Sequence, residues 1–173
     1  MEKTEAVEGD LIQMAKNKEF DVIIHGCNCF NTMGAGIALQ IKRNFKAAYE
    51  ADQQTKKGDK KKLGTYTSAE VDGLIIVNAY TQFRYSAGKV DNINYTAVRQ
   101  VMRKIKQDFS GKKIGYPMIG AGLAGGDWAI ISQIIYQELE GEDHTLVKYK
   151  IKENKNHGIS TAKFFSVDKA AKA

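Results

Sequence analysis

Two glycine-rich segments carry the pattern from which the chemistry of this sequence can be predicted. The first is Gly34-Ala35-Gly36-Ile37, and the second runs from Gly120 to Gly126 as Gly-Ala-Gly-Leu-Ala-Gly-Gly. Glycine permits close approach of the backbone, and a helix that begins after such a loop presents unpaired N–H groups to an anion. Neither segment has the lysine-serine ending of a P-loop or the spacing of a dinucleotide fingerprint. The loops therefore predict a diphosphate held by backbone groups, and they disfavour a nucleoside triphosphatase or an ordinary dehydrogenase.

Three polar residues close to these loops could take part in catalysis. His25 could act as an acid or a base, because the unperturbed pKa of histidine lies near neutrality; Asn28 could orient a substrate, and Asp127 could polarise a water molecule. Each also has a structural interpretation, because a histidine that closes a strand is often a hydrogen-bonded core residue, an asparagine can hold its own loop, and an aspartate can start a helix. Cys27 is disfavoured as a nucleophile, since no neighbour in the sequence activates its thiol.

The elements that must position these residues alternate along the chain. The Asp21–Ile24 run is apolar and β-branched, as in a buried strand, and apolar residues between 92 and 109 recur at helical spacing. Strands are predicted at 4–8, 21–24, 63–67, 74–78, 112–118 and 145–151, and helices at 11–15, 37–49, 92–109 and 128–139. This order predicts an α/β fold, a mixed sheet between helices, with ligands at the carboxyl ends of the strands, where both glycine loops fall.

Length and charge limit the classes of function. A chain of 173 residues, of which 43% are hydrophobic, suits one domain with a real core. The net charge is +6, but residues 148–173 hold seven lysines and two acidic residues, so the rest of the chain is nearly neutral. We therefore predict a domain at 1–152 and a lysine-rich C-terminal extension at 153–173. Nucleic-acid binding is expected only through that extension, and the lysines at 56–62 are predicted to form an exposed connection.

The sequence also predicts where the protein resides. No apolar run approaches the roughly 18 residues of a transmembrane helix, and the N-terminal residues lack the pattern of a signal peptide. The two cysteines, Cys27 and Cys29, fit free thiols in a reducing compartment. We expect a cytoplasmic monomer that does not bind membranes and that needs no metal ion and no cofactor.

Several short motifs resemble the macrodomain family in their order and spacing. They are Gly9-Asp10-Leu11, the stretch His25-Gly26-Cys27-Asn28-Cys29, residues 33–38, and residues 118–123. The resemblance is closest to the branch that holds yeast-type ADP-ribose 1″-phosphate phosphatases and ADP-ribosyl-glutamate hydrolases, and it covers residues 4–151. It implies a three-layer α/β/α macrodomain with a central mixed, mostly parallel sheet.

The resemblance further implies a binding site for ADP-ribose or ADP-ribose 1″-phosphate. Asp10 would accept a hydrogen bond from the adenine amino group, Tyr149 and Ile151 would form a wall against the adenine, and Asn28 would hold the distal ribose. The two glycine loops would hold the diphosphate from opposite sides. The ligand-binding residues implied are Asp10, Leu11, Asn28, Met33, Gly34, Ala35, Gly36, Ile37, Gly120, Ala121, Gly122, Leu123, Ala124, Tyr149 and Ile151.

The hydrolases of this branch use a lysine after the middle strand and an aspartate in the second glycine loop. This sequence has Ala79-Tyr80-Thr81 and Ala124 at those positions, which disfavours lysine-based removal of ADP-ribose from glutamate. We expect instead a phosphatase that acts on ADP-ribose 1″-phosphate, with His25, Asn28 and Asp127 as its catalytic residues. Two alternatives stay open: a module that binds ADP-ribose or ADP-ribosylated proteins without turnover, and an ADP-ribosyl-protein hydrolase.

Overall fold

A computed structural model describes residues 3–84 and 92–150 and shows one six-stranded sheet in these ranges. The strands are β1 (Lys3–Gly9), β2 (Val22–Cys27), β3 (Tyr66–Val71), β4 (Leu74–Tyr80), β5 (Ile114–Tyr116) and β6 (Asp143–Tyr149). Their order across the sheet is β1-β6-β5-β2-β4-β3. All neighbours pair in parallel except β3 and β4, which form an antiparallel hairpin.

The parallel pairing brings five strand ends to one edge of the sheet. In register, Gly9 at the end of β1 lies opposite Tyr149 of β6, and Cys27 at the end of β2 lies opposite Tyr80 of β4. The segments that follow β1, β2, β4 and β5 therefore emerge side by side. The carboxyl edge of such a sheet is where α/β proteins bind ligands.

Two helices cover one face of the sheet. They are α4 (Tyr95–Phe109) and α5 (Trp128–Glu138), and their buried residues pack with Val22, Ile24 and Val77 in one hydrophobic cluster. The side chain of Glu138 joins them, since it accepts hydrogen bonds from both Arg99 and Arg103 of α4.

Three helices cover the opposite face, which completes the predicted three-layer α/β/α arrangement. They are α1 (Leu11–Lys16), α2 (Gly36–Asn44) and α3 (Lys46–Gln53). The sequence predicted one helix over 37–49, whereas the structure has two helices, α2 and α3, that are separated at Phe45. Phe45 ends α2 and begins α3 with φ −135° and ψ 76°. Its side chain is buried in a second hydrophobic cluster, which lies on this face of the sheet and contains Ile23 and Ile76.

Three further predictions differ from the structure. The hairpin is shifted along the chain, because β3 begins at Tyr66 and β4 continues through Ala79 and Tyr80, which were predicted as loop. The strand predicted over 112–118 is only Ile114–Tyr116. Lys62, in a short 3-10 helix (Lys60–Lys62), is buried instead of exposed: its ammonium donates to the Cys29 carbonyl at 3.2 Å and to Asn31 Oδ1 at 2.6 Å.

Within the described ranges, the longest helix is the 15-residue α4, and none of the helices is both long and apolar enough to span a membrane.

Candidate functional site

A first cavity of about 290 Å³ opens at the carboxyl ends of β1, β5 and β6. Asp10 positions one wall, because its Oδ1 accepts hydrogen bonds from the backbone N–H groups of Ile12 at 3.0 Å and Gln13 at 3.2 Å and so caps α1. The cap holds the carboxylate at the cavity. Its described lining is Gly9, Asp10, Leu11, Ile12, Gln13, Lys16, Ile37, Gln40, Asn44, Pro117, Met118, Val147, Lys148 and Tyr149.

Four of the ligand-binding residues that the resemblance implied line the first cavity. Asp10, Leu11 and Tyr149 lie together in it, and Ile37 joins them from α2. An acceptor, an aromatic ring and apolar side chains suit a flat heterocycle with an amino group. Ile151, implied as a further part of this wall, lies outside the described residues.

A second cavity of about 300 Å³ opens at the carboxyl ends of β2 and β4, between the two glycine loops. Seven implied ligand-binding residues line it: Asn28, Met33, Gly34, Ala35, Gly120, Leu123 and Ala124. Gly36, Ala121 and Gly122 belong to the same loops but do not line either cavity. Ile37 lines the first cavity and the next residue, Ala38, lines the second, so the two cavities adjoin across the start of α2.

The start of α2 lies between the cavities without a side-chain cap. Its N-cap residue is Ala35, in extended conformation, and no side chain accepts from the first-turn N–H groups. Those N–H groups have no partner inside the helix, and they form its positive end. An uncapped helix start that faces a cavity is a ready site for an anion such as a phosphate group.

The second glycine loop contributes in a different way from the first. Gly120 has φ +73°, and a Cβ there would lie 2.5 Å from Ile93 Cδ1, so only glycine fits. The loop closes on itself, since Gly126 N–H donates to the Gly120 carbonyl at 2.7 Å. The helix after it, α5, is capped by Asp127, whose Oδ1 accepts from Ala129 N–H at 2.9 Å. The two helix starts therefore differ: the start of α2 has no side-chain cap, whereas Asp127 caps the start of α5.

Two of the three predicted catalytic residues lie outside both cavities. Asp127 is exposed, and its carboxylate is used as the α5 cap. His25 is fully buried in β2, where its Nε2 forms a hydrogen bond of 2.7 Å with Asn78 Oδ1 on β4. Burial lowers the pKa of His25 to about 4, although the bond to Asn78 opposes this shift. His25 is thus a buried, hydrogen-bonded residue of the sheet and Asp127 is a helix cap, and their roles in proton transfer and water activation stay predictions.

Asn28, the third predicted catalytic residue, does line the second cavity. Its amide is engaged within its own loop: Nδ2 donates to Thr32 Oγ1 at 2.7 Å, and Oδ1 accepts from Phe30 N–H at 2.8 Å. Cys27 also lines this cavity, but burial raises the pKa of its thiol well above the ordinary value, and the charge of Asp52 acts in the same direction. A neutral thiol is a poor nucleophile, which agrees with the sequence analysis.

Sequence reasoning gave no role to four polar residues that line the second cavity, Thr32, Asp52, Thr81 and Gln82. Asp52 lies on α3 with 1% of its surface exposed, and its Oδ1 accepts a hydrogen bond from Tyr80 OH at 2.8 Å. Burial raises the pKa of Asp52, while the Tyr80 hydroxyl and the charge of Lys62 oppose the shift. Thr81 follows β4 directly, and a polar residue at the end of a parallel strand was a signal that could have identified it. The sequence around Asp52 carries no such signal, because nothing in its helix indicates which strand the side chain contacts.

Comparisons with known proteins show the family and the fold. No family model matches the sequence. The chain is 37% identical over 139 residues to an uncharacterized 17.5 kDa protein from the tk–vs intergenic region of enterobacteria phage T4, and the match covers 75% of this chain and 85% of that protein. A protein of unknown function from Bacteroides thetaiotaomicron is similar in structure, with a TM-score of 0.71, 27% identity, and coverage of 84% of this chain and 97% of the other.

Two further solved structures identify the fold. The macrodomain of Mycobacterium tuberculosis DarG superposes with a TM-score of 0.65 at 21% identity, covering 88% of this chain and 100% of that domain. Thermosipho africanus DarTG, solved in complex with ADP-ribose, superposes with a TM-score of 0.66 at 18% identity, covering 89% of this chain and 43% of that longer chain. These likenesses confirm the predicted macrodomain fold, with its central mixed, mostly parallel sheet.

Proposed function

Because this chain belongs to the family of the phage T4 17.5 kDa protein and has the macrodomain fold, we propose that it binds ADP-ribose across its two cavities. The adenosine occupies the first cavity, the diphosphate lies at the start of α2, and the distal ribose occupies the second cavity. ADP-ribose contains these three groups in the same order as the three features along the carboxyl edge of the sheet. That DarTG was solved with ADP-ribose on a similar fold supports the proposal.

The observation that carries this proposal is the uncapped start of α2 between two adjoining cavities. An alanine N-cap costs a helix about 1 kcal/mol relative to serine or aspartate. An N-cap residue without a side-chain oxygen is therefore understandable where a ligand phosphate accepts the hydrogen bonds of the first-turn N–H groups. Neither P-loop chemistry nor a lysine is needed, because backbone N–H groups carry the interaction.

Isothermal titration calorimetry with ADP-ribose tests the proposal on the full chain. We expect saturable binding with a dissociation constant in the micromolar range, which corresponds to a binding free energy on the order of −8 kcal/mol. The variant Lys46→Ala is the control, because the Lys46 side chain is 85% exposed and lines neither cavity, so its affinity should equal that of the wild type. Absence of binding heat at several hundred micromolar ADP-ribose would show that the protein does not bind ADP-ribose.

A second candidate function is dephosphorylation of ADP-ribose 1″-phosphate. It is favoured by Asn28 and by the carboxylate of Asp52, which both line the cavity assigned to the distal ribose. It is weakened because no lysine or arginine is among the described lining residues of that cavity, so only neutral donors, backbone N–H groups and polar side chains, would stabilise the charge on a transferring phosphoryl group. Release of inorganic phosphate from ADP-ribose 1″-phosphate, measured for the wild type and Asn28→Ala, separates an enzyme from a binding module. A rate equal to the protein-free reaction assigns the protein to binding.

A further inference from the structure

The second cavity contains two buried polar atoms that the fold leaves unpaired. Among the described residues, neither Asp52 Oδ2 nor Thr81 Oγ1 has a hydrogen-bond partner. Asp52 is 1% exposed and Thr81 is 0% exposed, yet both line the cavity. A buried polar atom without a partner is costly, and such atoms in a cavity indicate where a ligand supplies the missing bonds.

The position of Asp52 is set from behind by a hydrogen-bonded chain. Tyr80 OH donates to Asp52 Oδ1 at 2.8 Å and lies 3.0 Å from Thr67 Oγ1, so one carboxylate oxygen is held against β4, while Oδ2 has no partner among the described residues. The ammonium of Lys62 lies 4.8 Å from the centre of the Tyr80 ring on this buried side. The Lys62 charge therefore balances the carboxylate from beneath and does not line the cavity itself.

Thr81 is positioned equally firmly by its backbone. Its N–H donates to the Cys27 carbonyl at 3.2 Å, and its own carbonyl accepts from Asn94 N–H at 2.8 Å. The neighbouring strand makes room for the hydroxyl, because a Cβ on Gly26 would lie 2.9 Å from Thr81 Oγ1. A side chain at position 26 would thus displace the hydroxyl group from its place in the cavity.

These two groups suit a particular chemistry. A carboxylate oxygen accepts hydrogen bonds, and a threonine hydroxyl both accepts and donates. The described lining of the cavity has no cation, so this part of it suits neutral hydroxyl groups better than a phosphate. Asn28, which the resemblance assigned to the distal ribose, has its amide engaged with Thr32 and Phe30.

We propose that Asp52 and Thr81 bind the hydroxyl groups of the distal ribose and so select ADP-ribose over ADP. This inference rests on the proposed ADP-ribose function, and it adds the residues that give the second cavity its specificity. The free Asp52 Oδ2 accepts from one ribose hydroxyl, while Thr81 Oγ1 exchanges a hydrogen bond with a second. ADP ends at the diphosphate and leaves both atoms without a ligand partner.

Titration of wild type, Asp52→Asn and Thr81→Val with ADP-ribose and with ADP tests the inference. We expect the wild type to prefer ADP-ribose, and each variant to lose about 5- to 20-fold in affinity for ADP-ribose while its affinity for ADP stays within about twofold. Thr81→Ser retains the hydroxyl and should retain the affinity for ADP-ribose. Asp72→Asn, in the exposed β3–β4 turn, and Thr96→Val, exposed on α4, are the matched controls and should behave as wild type.

The two ligands distinguish the possible failures. If the wild type binds ADP and ADP-ribose equally, or if the variants lose affinity for both ligands alike, Asp52 and Thr81 are structural and the inference is overturned. If the wild type binds neither ligand, the proposed function fails and the inference falls with it. Thermal unfolding of each variant shows whether a loss of affinity comes from misfolding. If it does, the difference in ADP-ribose affinity between Thr81→Val and Thr81→Ser shows whether the hydroxyl group binds the ligand.

Discussion

At the scale of single residues, burial alone does not determine which titratable groups lie at a cavity. His25 and Cys27 have the side chains of catalytic residues, but both are buried on β2, with the Cys27 sulfur 3.7 Å from the His25 ring nitrogens. Asp52 is equally buried, yet it retains an unpaired oxygen at a cavity. The difference is one of direction: His25 meets Asn78 between neighbouring strands, whereas Asp52 extends from α3 toward the space between the loops.

The buried His25 gives a prediction about pH. Its pKa is lowered from 6.5 to about 4 in the folded protein, so between these values the unfolded chain takes up a proton that the folded chain does not. Stability is therefore complete above pH 6.5 and falls as the pH decreases toward 4, by up to about 3 kcal/mol from this residue. Urea unfolding from pH 7.5 to 4.5 should show a steeper loss for wild type than for His25→Gln. Parallel pH profiles would contradict a neutral, buried His25.

At the scale of elements, the two glycine loops perform different tasks although they look alike in sequence. The first leads into α2, whose N-cap is Ala35 and whose first-turn N–H groups receive no side-chain cap. The second leads into α5, whose start is filled by Asp127. The proposed anion site therefore depends on one helix start, and the second loop supplies part of the cavity wall through Gly120, Leu123 and Ala124.

Substitution of Ala35 tests this division of tasks. Ala35→Asp places a carboxylate where we propose that the diphosphate binds, so ADP-ribose affinity should fall at least about tenfold while the new cap stabilises α2 by about 1 kcal/mol. Ala35→Ser is the matched control, because it caps the helix without a charge and should lose less affinity. Calorimetry and thermal unfolding measure the two effects separately. Undiminished ADP-ribose affinity in Ala35→Asp would place the diphosphate elsewhere.

At the scale of the whole molecule, the folded body and the basic charge are separate features. The six strands end at Tyr149, whereas residues 148–173 carry seven of the lysines. The two cavities are formed by described residues before Lys150. Every described lining residue thus precedes the lysine-rich extension at 153–173, which lies outside the described residues.

A chain that ends at Asn154 tests this separation. It lacks Lys155, Lys163, Lys169 and Lys172 but retains all six strands that the structure describes, so its ADP-ribose affinity should match that of the full chain. Any binding of the full chain to duplex DNA should be weak, should decrease as salt is raised from about 50 to 200 mM, and should be lost on truncation. DNA binding that survives truncation would show a nucleic-acid surface on the folded body itself.

The sequence by itself determined the fold class, the order of most elements and the two loops, because local patterns record these features. Apolar runs and helical periodicity predicted the buried strands and α4, and the glycine loops predicted at which edge of the sheet a ligand would bind. Asp10, which only the resemblance named, is placed by its own neighbours, because its carboxylate caps α1.

Only the tertiary structure decided which polar residues meet in the site. Asp52 and Thr81 are 29 positions apart and come together because α3 packs on the face of the sheet beside β4. The same packing buries His25 against Asn78, a contact across 53 positions. Such contacts depend on strand order and helix placement, which arise from the burial of the whole core and leave no mark in the local sequence.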